Sequence, residues 1–420
     1  MDDKSVQGKA KTVLTACVLF NLFLGVLYAW SVLRVNFTVP VEQGGWGWTA
    51  SQAGLPFSLA IACFAITMMV AGRIQDKIGP RWVMTAGGIL CGLGLFIGGL
   101  IGNNPLGIAI AFGVIAGMGG GAGYACATPP AIKWFHPSIK GKISGLTVGG
   151  FGLSAVYYSP LTGFLIGQFG PETAMMILGV AIFALTTLCA QFVKNPPKGY
   201  LPAVPAGYKE PEQTATSKPS SADFTWREMM QTKTFWMIFI MFVATASVGL
   251  MVIGNVTSIA VTQMGVTDAG VFAFLAAWLA LVNTLGRVLG GLMSDKIGRI
   301  NALYVVLILQ AANMFGFLFY NNLATLVLGV TIIGFCFGTF LSVFPPLTAD
   351  LYGLKNFGQN YGIMFLAWGV AGILMPMLTN FLYDMQGNFY TAYIICAVMT
   401  TVMICMNFLI NKEIKARRNA

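Results

Sequence analysis

The chain contains 420 residues, of which 56% are hydrophobic and 9% are charged, and its formal net charge is +10 at pH 7. Soluble domains carry about 25% charged residues, so this composition excludes an ordinary soluble enzyme or binding domain. His136 is the single histidine and no two cysteines have C-x-x-C spacing, so neither a haem nor a metal centre is expected.

Twelve apolar runs follow one another along the chain, each long enough to cross a bilayer core of about 30 Å as a helix. Their continuous apolarity, without alternation, favours helices over a β-barrel. The first run follows a short polar start without a small-residue cleavage site, which predicts a retained span and not a signal peptide. We number them spans 1 to 12, at about 12–33, 52–72, 82–102, 105–132, 145–167, 173–193, 235–261, 269–293, 301–320, 323–349, 359–382 and 389–411.

Basic residues are distributed unevenly between the two sides of the predicted membrane. All Lys and Arg except Arg34 and Arg287 fall in the two tails or in alternate loops on one side. The charged residues of the opposite loops are all acidic: Glu42, Glu172, Asp268 and Asp384. By the positive-inside rule, both termini are predicted to be cytoplasmic, in a multi-pass protein of the cell (inner) membrane. Topology therefore explains the positive net charge, and no nucleic-acid partner is expected.

A polar, proline-rich segment at 194–234 separates six spans from six. This composition is typical of a flexible linker, with a short surface helix predicted near its end. We therefore predict an N-terminal six-helix bundle at 1–193, a cytoplasmic linker at 194–234 and a C-terminal six-helix bundle at 235–420.

The two halves repeat each other. "GRIQDKIGPR" (72–81) after span 2 matches "GLMSDKIGR" (291–299) after span 8, and "GMGGGAGYACATPP" (117–130) in span 4 is answered by "GFCFGTFLSVFPP" (334–346) in span 10. The offsets are nearly equal, 219 and 216 residues. Parallel six-helix repeats indicate a secondary transporter with its site between the halves near the midplane.

The loop that occurs twice is similar to the signature of the major facilitator superfamily. This resemblance implies an all-α membrane fold of twelve transmembrane helices in two pseudo-symmetric bundles, and transport by alternating access. It also implies a gating role, in which the aspartate caps a neighbouring helix and the basic residues latch the halves. A tight positive-inside turn is the alternative, but it explains one copy better than two. The matching gating residues are Asp76, Gly79, Arg81, Asp295, Gly298 and Arg299.

Four further stretches resemble the branch of that superfamily that contains monocarboxylate transporters and oxalate/formate antiporters. They are "YAWSV" (28–32), "GAGYACATPPAIKWFHP" (121–137), "NTLGRVLGGLMSDKIGR" (283–299) and "NFGQNYG" (356–362). Together with the repeated loop, the resemblance extends over nearly all twelve spans.

Arg287 lies within span 8, where an arginine costs about 2.5–3.5 kcal/mol at a span centre. Snorkelling is one explanation, because the predicted cytoplasmic end is about 9 Å away. However, Asn283 lies one turn earlier on the same face, nearby glycines indicate close helix packing, and no span has an interior carboxylate. We therefore predict that Arg287 binds the substrate carboxylate through its planar fork of donors, as the resemblance also implies. Arg34, at the outer end of span 1, is predicted to snorkel.

The resemblance supplies the rest of the substrate site. Aromatic residues cage the substrate in oxalate transporters, and the matching positions here are Tyr28, Tyr124, Phe337 and Phe365, although each is also explicable as packing. The sequence departs from that pattern at Trp368, where oxalate carriers have a lysine, and at Leu341, where they have an aromatic residue. One cation balances one carboxylate, so we predict a monocarboxylate such as lactate or pyruvate, with Trp368 and Leu341 at its alkyl end. Leu33 completes the predicted set.

Asn283 stands where animal monocarboxylate carriers have an acid, so a carboxylate proton relay has no candidate. Two mechanisms stay open: a proton that travels with the substrate, or exchange of one anion for another. We predict a proton-coupled secondary active transporter of small monocarboxylates, with an oxalate/formate-type exchanger as the alternative. An enzyme and a receptor are disfavoured, because no nucleophile–base pair and no sizeable soluble domain are present. The expected partners are the monocarboxylate anion, a proton and the lipid bilayer; no cofactor is expected, and the protein is predicted to be a monomer.

Overall fold

In a computed structural model of the chain, the described residues are 3–197, 199–204, 223–266 and 268–419. Within these ranges, all regular secondary structure is helical, as predicted. The α-helices are Asp3–Leu24, Trp30–Thr38, Ala50–Ile78, Pro80–Ile101, Pro105–Ile108, Gly117–Ala125, Thr128–Lys133, Lys140–Ala190, Trp226–Met230, Lys233–Met264, Ala269–Ile297, Arg299–Gly316, Leu323–Tyr352, Phe357–Gln386 and Tyr390–Asn419. Short 3-10 helices lie at Val26–Ala29, Val41–Gln43 and Pro137–Ile139, and a π-helix lies at Ala109–Ala116.

In the described part of the chain, ten helices are long and apolar enough to cross a membrane, judged by length and composition. The longest, Lys140–Ala190, contains both span 5 and span 6. The two spans are separated by Gly170, which has a non-helical φ of 80° and is followed by Pro171. The helices Asp3–Leu24 and Trp30–Thr38 correspond to span 1. The prediction of an all-α membrane protein with twelve spans is confirmed.

Span 1 is broken where Gly25 and a 3-10 turn interrupt the helix. Such a break leaves backbone carbonyls without helical partners, which is costly in a membrane. Hydroxyl groups of span 5 donate hydrogen bonds there: Tyr157 to the Leu22 carbonyl at 2.8 Å, and Tyr158 to the Phe23 carbonyl at 2.6 Å. Span 5 therefore stabilises the broken conformation of span 1.

The residues group into two compact units. Unit 1 consists of Met1–Phe135, Gly150–Pro202 and Asn356–Gly369, and unit 2 consists of His136–Gly149, Ala203–Lys355 and Val370–Ala420. Each unit is thus built mainly from one half of the sequence, with one short segment from the other half. We call these the exchanged segments: 136–149 leads into span 5, and 356–369 begins span 11. The boundaries predicted at 193 and 235 from the polar linker stay a prediction.

Each exchanged segment packs against its unit through glycines. In unit 1, the backbone of Gly358 lies against Gly72 of span 2, and in unit 2 the backbone of Gly141 lies against Gly291 of span 8. Neither contact leaves room for a Cβ atom, so only glycine allows these helices to approach so closely. The offsets, 219 and 217 residues, show that the sequence repeat is also a repeat of contacts.

The two loop aspartates bind the backbone of the exchanged segments. A helix N-terminus presents free N–H groups and a partial positive charge, which a carboxylate satisfies. Asp76 accepts from the amides of Gly358 and Gln359 at 3.3 and 3.0 Å, and Asp295 accepts from the amides of Gly141 and Lys142 at 2.8 and 2.6 Å. In each case the acid comes from one half of the sequence and the helix start from the other.

Both ends of the linker are attached to loops that precede the exchanged segments. At its start, the indole of Trp134 donates to the Lys194 carbonyl at 2.7 Å and packs on the ring of Tyr200. At its end, the Asp223 carboxylate accepts from the amides of Leu354 and Lys355, both at 3.1 Å. The helix Trp226–Met230 follows, where the sequence predicts a surface helix.

Candidate substrate site

Span 4 reaches Tyr124 through an irregular helix. It passes from a π-helix at Ala109–Ala116 into Gly117–Ala125, and π-helical turns are frequent at functional sites. At Gly121, the backbone of Phe64 leaves no space for a side chain. This close packing of spans 2 and 4 places the ring of Tyr124 beside that of Phe64, with centroids 5.5 Å apart.

Tyr124 belongs to an aromatic cluster in unit 1, formed by Phe64, Tyr124, Phe151, Phe365 and Trp368. The distance between ring centroids is 5.4 Å for the pair Tyr124 and Phe365 and 5.3 Å for Phe365 and Trp368. For Tyr124 and Phe151 it is 5.1 Å. These separations are typical of interacting aromatic pairs. Trp368 is half-buried and the other four rings are buried. The cluster brings together three predicted site residues; Phe64 and Phe151 were missed because neither lies in a recognisable motif.

Arg287 and Asn283 form the polar part of the candidate site, in unit 2. Arg287 is only 2% exposed and Asn283 5% exposed, which contradicts snorkelling of the arginine. The Nε of Arg287 donates to the Asn283 side-chain oxygen at 3.3 Å, and its Nη1 donates to the backbone carbonyl of Val148 at 2.6 Å. The i, i+4 stacking predicted from the sequence is therefore present. The contact with Val148 was not predicted, because a backbone carbonyl leaves no signal in a sequence.

The backbone of span 8 at Arg287 is closely packed between two neighbouring helices. There is no space for a Cβ atom at Gly338 of span 10, which lies against the backbone of Asn283 and Arg287. On the side of span 5, the backbone of Gly145 likewise lies against the Arg287 carbonyl. Because backbones cannot yield as flexible side chains do, these contacts fix the position of span 8 at Arg287. The hydrogen bonds to Asn283 and Val148 then orient the guanidinium.

No described carboxylate lies within 4.0 Å of the Arg287 guanidinium. In the described ranges, the ion pairs join Lys133 to Asp76, Lys140 to Asp350, and Arg299 to Asp295 and Asp350. Four acids of the long helices lie at helix ends: Asp76, Asp295, Asp350 and Asp384 each stand two residues before the last residue of their helix. The charge of Arg287 is therefore met by neutral acceptors.

The other predicted substrate residues are placed separately. In unit 2, Phe337 packs against Gly249 of span 7, and Leu341 is buried. In unit 1, Leu33 is buried in the helix Trp30–Thr38. The side chain of Tyr28 lies outside the described residues. Arg34 is exposed at the end of span 1, as expected.

The two basic residues of the repeated loops have different partners. Gly79 and Gly298 have φ values of 90° and 89°, a conformation that favours glycine, so the two loops turn alike. Arg81 donates to the side-chain oxygen of Gln191. Arg299 instead bonds Ser294 and pairs with the two acids Asp295 and Asp350.

Among the described residues, no group of three His, Cys, Asp or Glu side chains could hold a metal ion. The helical repeat and the paired loops together define a secondary transporter fold. The sequence profile of the Major Facilitator Superfamily matches residues 15–323 and 305–420. The chain belongs to the Major Facilitator Superfamily, and it is accordingly a multi-pass membrane transporter and not an enzyme.

Three relatives are similar to the chain over most of its length. It is 28% identical to the uncharacterized MFS-type transporter YhjX of Escherichia coli (strain K12), over 89% of this chain and 88% of the relative. It is 26% identical to the oxalate:formate antiporter of Oxalobacter formigenes, with 93% and 88% covered, and 22% identical to monocarboxylate transporter 12 of Homo sapiens, with 87% and 80% covered. The resemblance to the monocarboxylate and oxalate/formate branch is confirmed.

A solved structure with the same fold is that of a single-residue variant of the fucose:proton symporter FucP of Escherichia coli. The TM-score is 0.69, and the alignment covers 95% of this chain and 98% of the symporter at 16% identity. At this identity the match concerns the fold alone.

Proposed function

We propose that this protein is a secondary active transporter of small monocarboxylates, of the lactate and pyruvate class, working by alternating access. The observation that carries the proposal is the buried Arg287, whose guanidinium has no described carboxylate partner. A buried charge is costly unless it is paired, and a substrate carboxylate is a suitable partner for a planar guanidinium.

Charge favours a substrate with one carboxylate. Lys140, also buried, is paired with Asp350 at 2.8 Å, and Arg299 pairs with both Asp350 and Asp295. These two cations and two acids balance one another, so Lys140 brings no free charge. A dicarboxylate at Arg287 would keep one negative charge without a partner. We propose that the carboxylate binds Arg287 and Asn283, and that Trp368 and Leu341 receive the alkyl end. Tyr28, Leu33, Tyr124, Phe337 and Phe365 complete the proposed set.

Exchange of oxalate for formate is the second candidate function. It is favoured by the 26% identity to the oxalate:formate antiporter over 93% of this chain. The two candidates differ in the charge that the site must hold and in whether the empty protein can complete the transport cycle.

We propose that a proton accompanies the substrate. Each of the four acids listed above lies near a helix end, so none of them is a candidate for a carboxylate relay inside the spans. A proton carried by the substrate itself needs no such relay. The positive loops support cytoplasmic termini in a cell membrane, and we propose that the protein works as a monomer.

The decisive experiment is uptake of radiolabelled acids by the purified protein in proteoliposomes, with and without an inward proton gradient. We expect saturable lactate and pyruvate uptake that the gradient stimulates, and Arg287→Ala should abolish it. Arg34→Ala is the matched control, because Arg34 is exposed, and it should keep wild-type uptake. Saturable oxalate exchange without lactate uptake would favour the second candidate, and full uptake by Arg287→Ala would refute the role of Arg287.

A further inference from the structure

The bond from Arg287 to the Val148 carbonyl joins two segments of different origin. Arg287 is in span 8, and Val148 lies in the exchanged segment 136–149 that leads into span 5. The Nη1–O distance of 2.6 Å is short for a hydrogen bond. A carbonyl has two acceptor sites, so it can bind Arg287 in addition to its helical partner.

Only part of the guanidinium is used in this way. A guanidinium has five N–H donors, and the described protein acceptors engage the Nε and Nη1 atoms. No described protein group accepts a hydrogen bond from Nη2. Nη2 is also not one of the fully buried side-chain nitrogen and oxygen atoms that lack a hydrogen-bond partner. The arginine is therefore held by neutral groups on one side and keeps donors for a ligand on the other.

We infer that the Val148 carbonyl is the internal partner of Arg287 when the transporter is empty. The inference rests on the proposed function, because it assumes that Arg287 binds the substrate carboxylate. Without substrate, the carbonyl partly satisfies the buried cation, which would otherwise pay the full cost of desolvation.

The bond also helps to hold the exchanged segment against span 8. It lies beside the place where the Gly145 backbone meets the Arg287 carbonyl, and any movement that separates the two helices breaks both contacts. A bound carboxylate supplies the guanidinium with charged acceptors, so the loaded protein depends less on Val148. The empty protein depends on it most.

Because the empty protein can satisfy Arg287 with the Val148 carbonyl, we expect net transport of substrate and not only exchange. A protein that satisfies its own arginine when empty can complete the cycle without a counter-substrate. Obligatory exchange is expected when the empty binding site cannot be stabilised. The Val148 carbonyl thus acts as a positioning group for the substrate-free step.

The test weakens this one acceptor without changing a side chain. Gly149→glycolic acid, introduced by nonsense suppression, converts the Val148 carbonyl from an amide into an ester carbonyl, which accepts hydrogen bonds less well. The ester also removes the backbone N–H of residue 149, so a control must lose one helical N–H as well. Gly150→glycolic acid is the control, because it makes the same change one residue later. Net lactate uptake into empty proteoliposomes and exchange into lactate-loaded proteoliposomes are measured for both variants.

We expect the change at 149 to lower net uptake by at least about threefold, since a hydrogen bond to a charged group is weakened. Exchange should stay within about twofold of wild type, and the change at 150 should affect both assays equally. Equal losses in both assays at 149, or no loss in either, would overturn the inference. A wild-type protein that moves none of the monocarboxylates would refute the proposed function, and the inference with it.

Discussion

Arg287 and Lys140 are both buried cations of unit 2, but they differ in their partners. The Lys140 ammonium pairs with Asp350, whereas the Arg287 guanidinium donates to the neutral oxygens of Asn283 and Val148. A buried pair is electrically complete, but a buried cation with neutral acceptors still attracts an anion. This contrast between two residues, and not the overall charge of +10, is what points to an anionic substrate.

The number of cations in the proposed site predicts that a substitution at Trp368 changes the preferred substrate. Trp368→Lys adds a second cation, so we expect oxalate uptake to rise relative to lactate uptake by about tenfold, as about 1.4 kcal/mol of new charge pairing would give. Uptake of both acids, measured in competition, checks this. Trp368→Leu is the matched control, because it removes the ring without adding charge; an equal shift in both variants would contradict the argument.

Glycines determine how the helices that carry these residues pack. Along the exchanged segment 136–149, Gly141 and Gly145 meet span 8 backbone to backbone. A Cβ atom at Gly149 would instead lie 3.4 Å from a Val288 methyl group, an ordinary contact distance. One helix therefore has positions that tolerate no side chain and a position that tolerates one, spaced one turn apart.

The different space at these glycines gives a prediction for the helix Lys140–Ala190. Gly145→Ala forces a methyl group into the Arg287 carbonyl, so it should cost about 1–3 kcal/mol and lower both the melting temperature and lactate uptake. Gly149→Ala should leave both nearly unchanged. Thermal unfolding in detergent and uptake in proteoliposomes test the pair, and similar behaviour of the two variants would show that the close approach is unimportant.

Across the whole molecule, the two halves of the sequence are linked by two similar sets of contacts. In unit 1 an aspartate from the first half binds the start of span 11, and in unit 2 an aspartate from the second half binds the segment leading into span 5. These contacts have the form that the family resemblance implies for gating. We propose that they stabilise one conformation of the transport cycle.

The repeat predicts similar consequences for the two acids. Asp76→Ala and Asp295→Ala should each reduce lactate uptake several-fold, because each removes a carboxylate from a helix N-terminus, worth up to about 2 kcal/mol when partly buried. Asp384→Ala, at an exposed helix end, should have little effect. Uptake at saturating and low lactate separates slower cycling from weaker binding. A loss confined to binding would contradict a conformational role for both acids.

The sequence by itself determined the class of this protein. Apolar runs of about 20 residues, loops with biased charge and a loop repeated at an offset of 219 fix a twelve-span transporter, because a bilayer permits few other arrangements. It also singled out Arg287 and Asn283, since a charged residue inside an apolar span needs a reason.

Only the tertiary structure decided which groups surround those residues. The Val148 carbonyl, the rings of Phe64 and Phe151, and the exchange of segments 136–149 and 356–369 between the units leave no local signal, because they arise from contacts between distant parts of the chain. Composition and periodicity indicate whether a single helix is suited to lipid or to water. Which backbone meets a given side chain depends on how several helices pack together, and that is settled by close packing in three dimensions.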